Sequence, residues 1–501
     1  MRISECGVES REWTMFPECE EKSVAAMGID RSALSKGGLN GPKAVLGWRP
    51  PAGRPLPESR GEDLPAGAPL RSERIAYGAL LLFVALVYAA PGTLYPPLEN
   101  FPIAKGMAVL SFLFLFSAMR AKGGSWRLAD PTSLWLAAFA ALSGLSIATA
   151  LWREFALNAF LDFLKVVLVY FLVVHLLDRL DRVRKFFWVM LWGGAFLAAG
   201  TLMHYLLKID LVEGYRAAWV GIYEDPNDLA YHLVVLTPIG LALLEAERSF
   251  LKKCIVLGIL AAFMAAIYVT FSRGGLVGLL AVFFFQILRS RKRMLHFALA
   301  GLLLVALLAV APARYWERAE TILKFRQDES AMGRVYAWKA GFAMIQDRPL
   351  LGVGVGCFVM GWPIYAPPEA GTKWRAPHNT FVAVMGETGL LGLVAFGAFM
   401  GTALRRAQTV NRPPAPSPLP LLALPPKRER KKPLIIPPMT EADRQAGLYA
   451  RAVEIAVWGF LACSLTLGVQ RSWPPYLLAG LAVALYRIVA VKNRMPKGGS
   501  R

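Results

Sequence analysis

The chain has 501 residues, of which 55% are hydrophobic and only 18% charged, yet its formal net charge is +21. A soluble chain of this length carries about 25% charged residues. The combination excludes a disordered chain, a secreted disulfide scaffold and an ordinary cytosolic enzyme. It also argues against nucleic acid as a partner, because membrane proteins concentrate Lys and Arg in cytoplasmic loops for a different reason.

A transmembrane helix needs about 20 mainly apolar residues, and the sequence contains a series of runs that approach this length. The predicted spans are 75–90, 104–118, 132–150, 159–177, 186–207, 229–246, 251–271, 274–288, 295–313, 379–403, 450–469 and 473–490. We therefore predict an all-α polytopic membrane protein of about 12 transmembrane helices, with its membrane domain over residues 75–490.

Basic residues alternate between the two sides of this topology. With a cytoplasmic N-terminus, the inner connections hold most of them: Arg120, Lys122, Arg127, Arg179, Arg182, Arg184, Lys185, Arg248, Lys252, Lys253, Arg289, Arg291, Lys292 and Arg293. The short outer connections hold few: Lys105, Arg153, Lys208, Arg216, Arg273 and Arg471. The positive-inside rule therefore predicts that both termini are cytoplasmic.

Three segments lie outside the spans. Residues 1–70 are rich in Gly, Pro, Ser and charge and are predicted to form a disordered cytoplasmic tail. Residues 405–449 combine a Pro-rich stretch with a basic run, which predicts an extended cytoplasmic insert near anionic lipid headgroups. Residues 314–378 form a large outer loop between the ninth and tenth spans, with a helical pattern near Val335–Ile345, and long structured loops are usually functional.

The cysteines give little indication of a structural or metal site. Of the five, only Cys357 lies clearly outside, where it has no partner for a disulfide. No spacing typical of metal ligands occurs, so neither a metal nor a cofactor is expected.

The first candidate site is the turn Thr270-Phe271-Ser272-Arg273-Gly274-Gly275. Between Lys253 and Arg289 this turn leaves roughly 15 residues per helix, or about 23 Å, which is short of the hydrocarbon thickness. Arg273 is therefore expected to lie below the outer surface, where an Arg marks a functional site. The alternative is an Arg that extends to the interface from an ordinary hairpin.

The second candidate is the segment Gly221-Ile222-Tyr223-Glu224-Asp225-Pro226-Asn227-Asp228-Leu229-Ala230. Its acidic residues could hold a cation, although their spacing is not that of a known metal loop. Asp225 followed by Pro226 predicts the start of a helix, with Asp225 as the N-cap. Arg216 lies just upstream, where it could face an anion.

Two further motifs belong to the outer loop. The stretch Asp347–Gly356 resembles a phosphate loop but lacks its Lys-Ser/Thr, so we expect its glycines to allow tight backbone packing instead. His378 lies where the loop re-enters the membrane, and imidazole is the side chain best suited to proton transfer near neutral pH. The alternative for His378 is a local structural hydrogen bond.

Within the fourth span, Asp162 and Lys165 are three residues apart and are predicted to pair on one helix face.

Taken in order, these motifs resemble the O-antigen ligase and polymerase superfamily of bacterial inner-membrane proteins. The resemblance rests on the Ser-Arg-Gly turn, Arg334 and Trp338, the Asp-Arg-Pro-Leu-Leu-Gly-x-Gly stretch, His378-Asn379, and Glu387-Thr388-Gly389-Leu390. The segment Asp225–Ala230 is similar to an Asn-containing segment of many members.

The resemblance implies a GT-C-like glycosyltransferase that uses a glycan linked to undecaprenyl diphosphate, on the periplasmic side and without a metal. It implies catalytic roles for His378 and Arg273, and substrate binding by Arg216, Arg334, Asn379 and Asn227. The implied acceptor is lipid A–core, a growing polysaccharide or a protein hydroxyl, so a ligase and a polymerase both fit. A membrane transporter, or a scaffold acting through the 405–449 insert, are the other possibilities.

Overall fold

The computed structural model describes residues 70–98, 101, 103–123, 129–289, 329–411 and 440–494. The predicted tail 1–70 (apart from Leu70), the span 295–313, the start of the outer loop and the middle of the basic insert lie outside these residues. The described part is helical and contains no strand; an isolated antiparallel bridge joins Val212 and Arg216.

Twelve long helices make up the described part of the chain. They are α1 (Arg71–Ala89), α2 (Ile103–Ala121), α3 (Pro131–Leu145), α4 (Arg153–Leu176), α5 (Leu180–Leu207), α6 (Pro226–Ala246), α7 (Phe250–Val269), α8 (Arg273–Leu288), α9 (Glu329–Asp347), α10 (Thr380–Asn411), α11 (Glu441–Ser464) and α12 (Pro474–Arg494).

The helices confirm the prediction of a polytopic membrane protein. Within the described residues, ten helices are long and apolar enough to cross a membrane by length and composition, and α8 is a shorter apolar helix of 16 residues. Each predicted span that lies in the described part corresponds to one of these eleven helices. The remaining long helix, α9, covers the helical pattern near Val335–Ile345.

Two sequence estimates differ from the structure, one of a helix length and one of the bounds of an insert. Helix α7 has 20 residues rather than roughly 15, because it begins at Phe250 and takes Lys252 and Lys253 into its first turn. The insert 405–449 is shorter than predicted, because α10 continues to Asn411 and α11 begins at Glu441. The start of α11 is fixed by a capping box in which Thr440 and Asp443 bond reciprocally.

Ion pairs between helices gather at one end of the bundle, the end that the sequence predicts to be cytoplasmic. Pairs that link different helices or their adjoining turns there are Lys122–Glu73, Arg184–Glu247, Arg248–Glu441, Arg289–Glu454, Arg406–Asp130 and Arg451–Glu245. The buried Glu454 carboxylate also accepts from Gln408 and Asn411, at 3.2 and 3.3 Å. The opposite end, called the outer end below, contains Arg216, Asn227, Arg273 and His378.

Helix α10 is broken at Gly389, which the sequence did not indicate. Gly389 has φ 69° and ψ −170°, a conformation open essentially to glycine alone. The break exposes backbone groups that need partners inside a membrane. The loop after α9 supplies them: Val353 donates to Gly386 O at 2.9 Å, Gly354 donates to Glu387 O at 3.0 Å, and Pro349 O accepts from Leu390 at 2.8 Å.

Glycines make this docking possible, as the sequence predicts for the Asp347–Gly356 stretch. Gly352, Gly354 and Gly356 all have positive φ. A Cβ on Gly352 would stand 2.4 Å from Gly386 O, and one on Gly354 would stand 2.5 Å from the Ala150 Cβ. The loop therefore packs its backbone directly against α10 and against the connection between α3 and α4.

We expect Gly389→Ala to destabilise the protein by more than about 3 kcal/mol, since the residue needs a glycine conformation and its Cβ would meet Leu350 O at 2.3 Å. Gly397→Ala is the matched control, because a Cβ there meets nothing within 4 Å in the same helix. It should be neutral or stabilise by up to about 1 kcal/mol. Thermal unfolding in detergent measures both, and equal midpoints would contradict the docking.

Candidate functional site

The Arg216 side chain is buried and bonded on three sides. Its Nε donates to Thr270 O at 3.0 Å, its Nη2 to Asn227 Oδ1 at 2.9 Å, and its Nη1 lies 3.3 Å from Glu213 Oε1. A guanidinium has five N–H donors, so three are used within the protein and one remains on each terminal nitrogen. Arg216 thus joins the α5–α6 connection to the end of α7.

Asn227 is the second member of this network. Its Oδ1 accepts from Ser272 Oγ at 2.8 Å as well as from Arg216, and its Nδ2 donates to Asp225 Oδ1 at 2.9 Å. Asp225 also accepts from the Asn227 N–H at 2.7 Å, which makes it the N-cap of α6, as predicted. Asn227 is therefore held in one orientation, with its oxygen toward Arg216 and Ser272.

Ser272 and Arg273 form the start of α8. Ser272 Oγ caps the helix by accepting from the Gly275 N–H at 3.1 Å, while it donates to Asn227. Arg273 is the first residue of α8 and is half-buried. The Thr270 carbonyl of this turn is bonded to Arg216 and the Ser272 hydroxyl to Asn227. These two bonds fix the position from which Arg273 extends.

The His378 turn packs on the connection between α11 and α12. Asn379 Oδ1 accepts from the N–H groups of Phe381 and Val382, and caps α10, while its Nδ2 donates to Leu465 O at 3.2 Å. Thr380 Oγ1 donates to Leu467 O at 2.7 Å and accepts from Val469. His378 itself is half-buried. Asn379, expected from the resemblance to bind substrate, bonds within the protein in this structure.

The same connection also contacts the Arg273 turn. Thr466 Oγ1 stands 2.3 Å from where a Cβ on Gly274 would be, and Cys463 Sγ lies 3.6 Å from Gly274 O. Residues 465–469 therefore lie between the two turns. The structure brings the Arg273 turn, with Arg216 and Asn227, to the same end of the bundle as the His378 turn, through one shared segment.

Arg334 lies on α9, the helix that packs against the start of α10. Gly341 of α9 packs on Val382 of α10, since a Cβ on Gly341 would stand 2.4 Å from the Val382 Cγ1. The Arg375 guanidinium lies over Gly333, beside Arg334. The structure thus places Arg334, which is half-buried, on the helix that supports the His378 turn rather than in the Arg216 network.

Sequence reasoning missed three residues beside the His378 turn. Glu387 is buried in α10 and accepts from Gln470 Nε2 at 3.3 Å. Arg471 follows Gln470 and is exposed, with its Nη1 3.1 Å from where a Cβ on Gly356 would stand. The Glu-Thr-Gly motif and the lone outer Arg471 were visible in the sequence, but their pairing with residues 465–471 depends on tertiary packing.

Backbone strain among the described residues is confined to the outer end. The non-glycine residues with positive φ are Ala90, Lys208, Asp210, Glu213, Phe271 and His378. All six lie in predicted outer connections or at the outer ends of predicted spans, and two of them are in the Arg273 and His378 turns. Such conformations persist only where the surrounding structure holds them, and they concentrate at functional sites.

The outer cysteine is buried and has a raised pKa. Cys357 is buried in the docked loop, with no disulfide, and its Sγ lies 3.6 Å from Trp152 O. Burial raises the pKa of the Cys357 thiol to about 11. Over the described ranges, no three His, Cys, Asp or Glu residues converge as a metal site would require.

The comparisons with known proteins agree with this geometry. Residues 257–397 match the family model described as O-Antigen ligase, a range that includes Arg273, Arg334, His378 and Asn379. The chain is also 24% identical over 306 residues to the "Exopolysaccharide production protein ExoQ" of Rhizobium meliloti (strain 1021), which covers 56% of this chain and 67% of that protein. Both matches support the O-antigen ligase and polymerase superfamily that the sequence resembles, and with it a membrane glycan enzyme of the ligase/polymerase type.

The raised pKa of Cys357 gives a prediction for its reactivity. At pH 8 a pKa of about 11 in place of 9.0 leaves about a hundredfold less thiolate, so N-ethylmaleimide should modify Cys357 about a hundredfold more slowly than an ordinary thiol. The rate should rise as the pH approaches 11. Mass spectrometry of a Cys6→Ser, Cys19→Ser protein measures it, with the exposed Cys254 as internal reference; fast labelling of Cys357 at pH 7 would contradict its burial.

Proposed function

We propose that this protein transfers a glycan from undecaprenyl diphosphate to an acceptor hydroxyl on the periplasmic side of the bacterial inner membrane. Both termini would then be cytoplasmic. One observation supports the proposal above others: Arg216, Asn227 and Ser272 fix the Arg273 turn at the same end of the bundle as His378. In this proposal, that end supplies both a cation for the leaving group and a base for the acceptor.

The donor sugar leaves a diphosphate, whose departing charge must be stabilised. Arg presents a fixed fork of donors that matches phosphate oxygens. Arg273 starts a helix, so it also lies at the positive end of the α8 dipole. Arg216 has two N–H donors beyond those bonded within the protein, and its main contribution is to hold the turn that carries Arg273.

The acceptor hydroxyl must lose a proton as it attacks. His378 is the base in this proposal: its ring takes the proton, the hydroxyl oxygen bonds to the anomeric carbon, and the bond from that carbon to the diphosphate breaks with its electron pair. A single displacement of this kind inverts the anomeric carbon. The strained backbone of His378, with φ 41°, is consistent with a residue held for function.

A transporter fits the geometry less well. Transporters bind solutes at broken helices, where freed backbone groups line a cavity near the bilayer midplane. In α10 the groups freed by the break at Gly389 are bonded to the docked loop instead. The described polar network also lies at the outer end, where a lipid-linked diphosphate would reside.

The acceptor distinguishes two branches of the proposal. The family description favours a ligase, whose acceptor is lipid A–core, whereas the relative is described as an exopolysaccharide production protein, which favours a polymerase. Offering each acceptor separately to the purified protein, with one donor, separates them by the size of the product.

We expect His378→Ala and Arg273→Ala each to reduce glycan transfer below detection. The first removes the base, and the second removes the cation that stabilises the departing diphosphate. Transfer is measured in vesicles with a labelled polyprenyl-diphosphate glycan. His175→Ala and Arg153→Gln are matched controls away from the network and should retain activity. Full transfer by a well-folded His378 or Arg273 variant would refute the assigned site.

The Asn227 network gives a further prediction. Asn227→Leu leaves Arg216 and Ser272 without their shared acceptor, which costs about 1–3 kcal/mol. If that cost falls on the bound donor, kcat/KM falls by about tenfold to a hundredfold. Arg216→Lys should behave alike, because a Lys cannot bond Thr270 O, Asn227 and Glu213 together. Unchanged kinetics in both variants would show that the network does not position Arg273.

A further inference from the structure

The outer half of α4 presents charged side chains to the lipid. Asp162 and Lys165 form an ion pair on this helix, as predicted, and their side chains are 71% and 58% exposed. Helix α4 runs for 24 residues, and Asp162 lies about 14 Å and Lys165 about 18 Å along it at 1.5 Å per residue. Both therefore begin near the middle of a hydrocarbon core about 30 Å thick.

The pair continues a polar stripe. Glu154, Asn158 and Asp162 follow one another at intervals of four residues, with Lys165 three residues further, and all four are exposed. Spacings of three and four place them on one face of the helix. Exposed ionisable groups within a membrane span are costly and almost always have polar company.

Beyond their pairing with each other, Asp162 and Lys165 meet no charged residue in the groove beside them. The groove beside the pair is lined by α1, α4 and α12, and its other lining residues are apolar: Phe83, Val84, Val87, Val166, Val169, Trp473 and Leu477. The predicted span 295–313 lies outside the described residues, and its sequence contains no acid, amide or basic side chain other than His296 near its inner end. Neither the groove nor the sequence of this span thus offers a polar partner, and another molecule that packs on α4 would supply one.

A leucine seam beside the stripe indicates a helix as that partner. Leu157, Leu161 and Leu164 are exposed by 38–47% and are spaced four and three residues apart. This is the spacing by which parallel helices interlock, while polar groups beside the seam hold helices together in lipid.

We propose that α4 is the contact between two copies of this chain, related by a two-fold axis along the membrane normal. The stripe is self-complementary under that symmetry. Asn158 has both a donor and an acceptor for Asn158 of the second copy. The pair Asp162–Lys165 carries no net charge, so Asp162 of each copy can pair with Lys165 of the other, and the four charges neutralise one another.

Crosslinking tests the contact directly. The full chain, with Cys6, Cys19 and Cys254 replaced by Ser, receives one new cysteine and is oxidised in lipid vesicles. Leu161→Cys should give a disulfide-linked dimer. Leu280→Cys in α8 is the matched control, because Leu280 is 48% exposed against 47% for Leu161. Equal crosslinking at both positions would overturn the proposal.

Exchange of the charges tests the pairing. Asp162→Lys and Lys165→Asp should each lower the association constant by about tenfold or more, as counted by single-molecule photobleaching in vesicles. The double exchange should restore it, and thermal unfolding checks that each variant is folded. The proposal would be overturned if the wild-type protein were monomeric at every protein-to-lipid ratio. It would also be overturned if native mass spectrometry found a different membrane protein or a lipid on α4.

Discussion

The structure depends on one constraint: backbone groups within a membrane must be bonded inside the protein, because lipid offers no partner. Helices satisfy this along most of the chain. Where α10 is broken at Gly389, the glycine loop 352–356 bonds the freed groups. That loop follows α9 in the chain, so its bonds at the break also hold α9 against α10. The His378 turn, which leads into α10, is thereby held in a defined position.

The second connection runs through side chains. Two side chains also bond the α7–α8 turn: Arg216 of the α5–α6 connection and Asn227 of the first turn of α6, both more than 40 residues earlier in the chain. A buried cation that bonds a carbonyl and an amide is rigid as well as costly to expose. Arg273 is thereby presented from a fixed turn, which under the proposed function suits electrostatic stabilisation of a leaving group.

Sequence reasoning captured features that depend on local chemistry. Apolar run length predicted the described spans, Asp225-Pro226 predicted a helix start, and the glycines of the outer loop predicted close packing. It missed the break at Gly389, since the sequence of an apolar run does not show which of its glycines has a positive φ. It also missed the Glu387–Gln470 contact, which joins residues more than 80 positions apart. The roles proposed for Arg273 and His378 came from a resemblance, because each residue alone also allowed a structural role.

The configuration of the anomeric carbon in the product tests the central proposal most directly. Purified protein in vesicles would receive a polyprenyl-diphosphate glycan of known anomeric configuration and a hydroxyl acceptor, and the product would be analysed by NMR. The proposal predicts a new glycosidic bond of inverted configuration and one equivalent of polyprenyl diphosphate. A product with retained configuration, or movement of a solute without any bond formed, would contradict it.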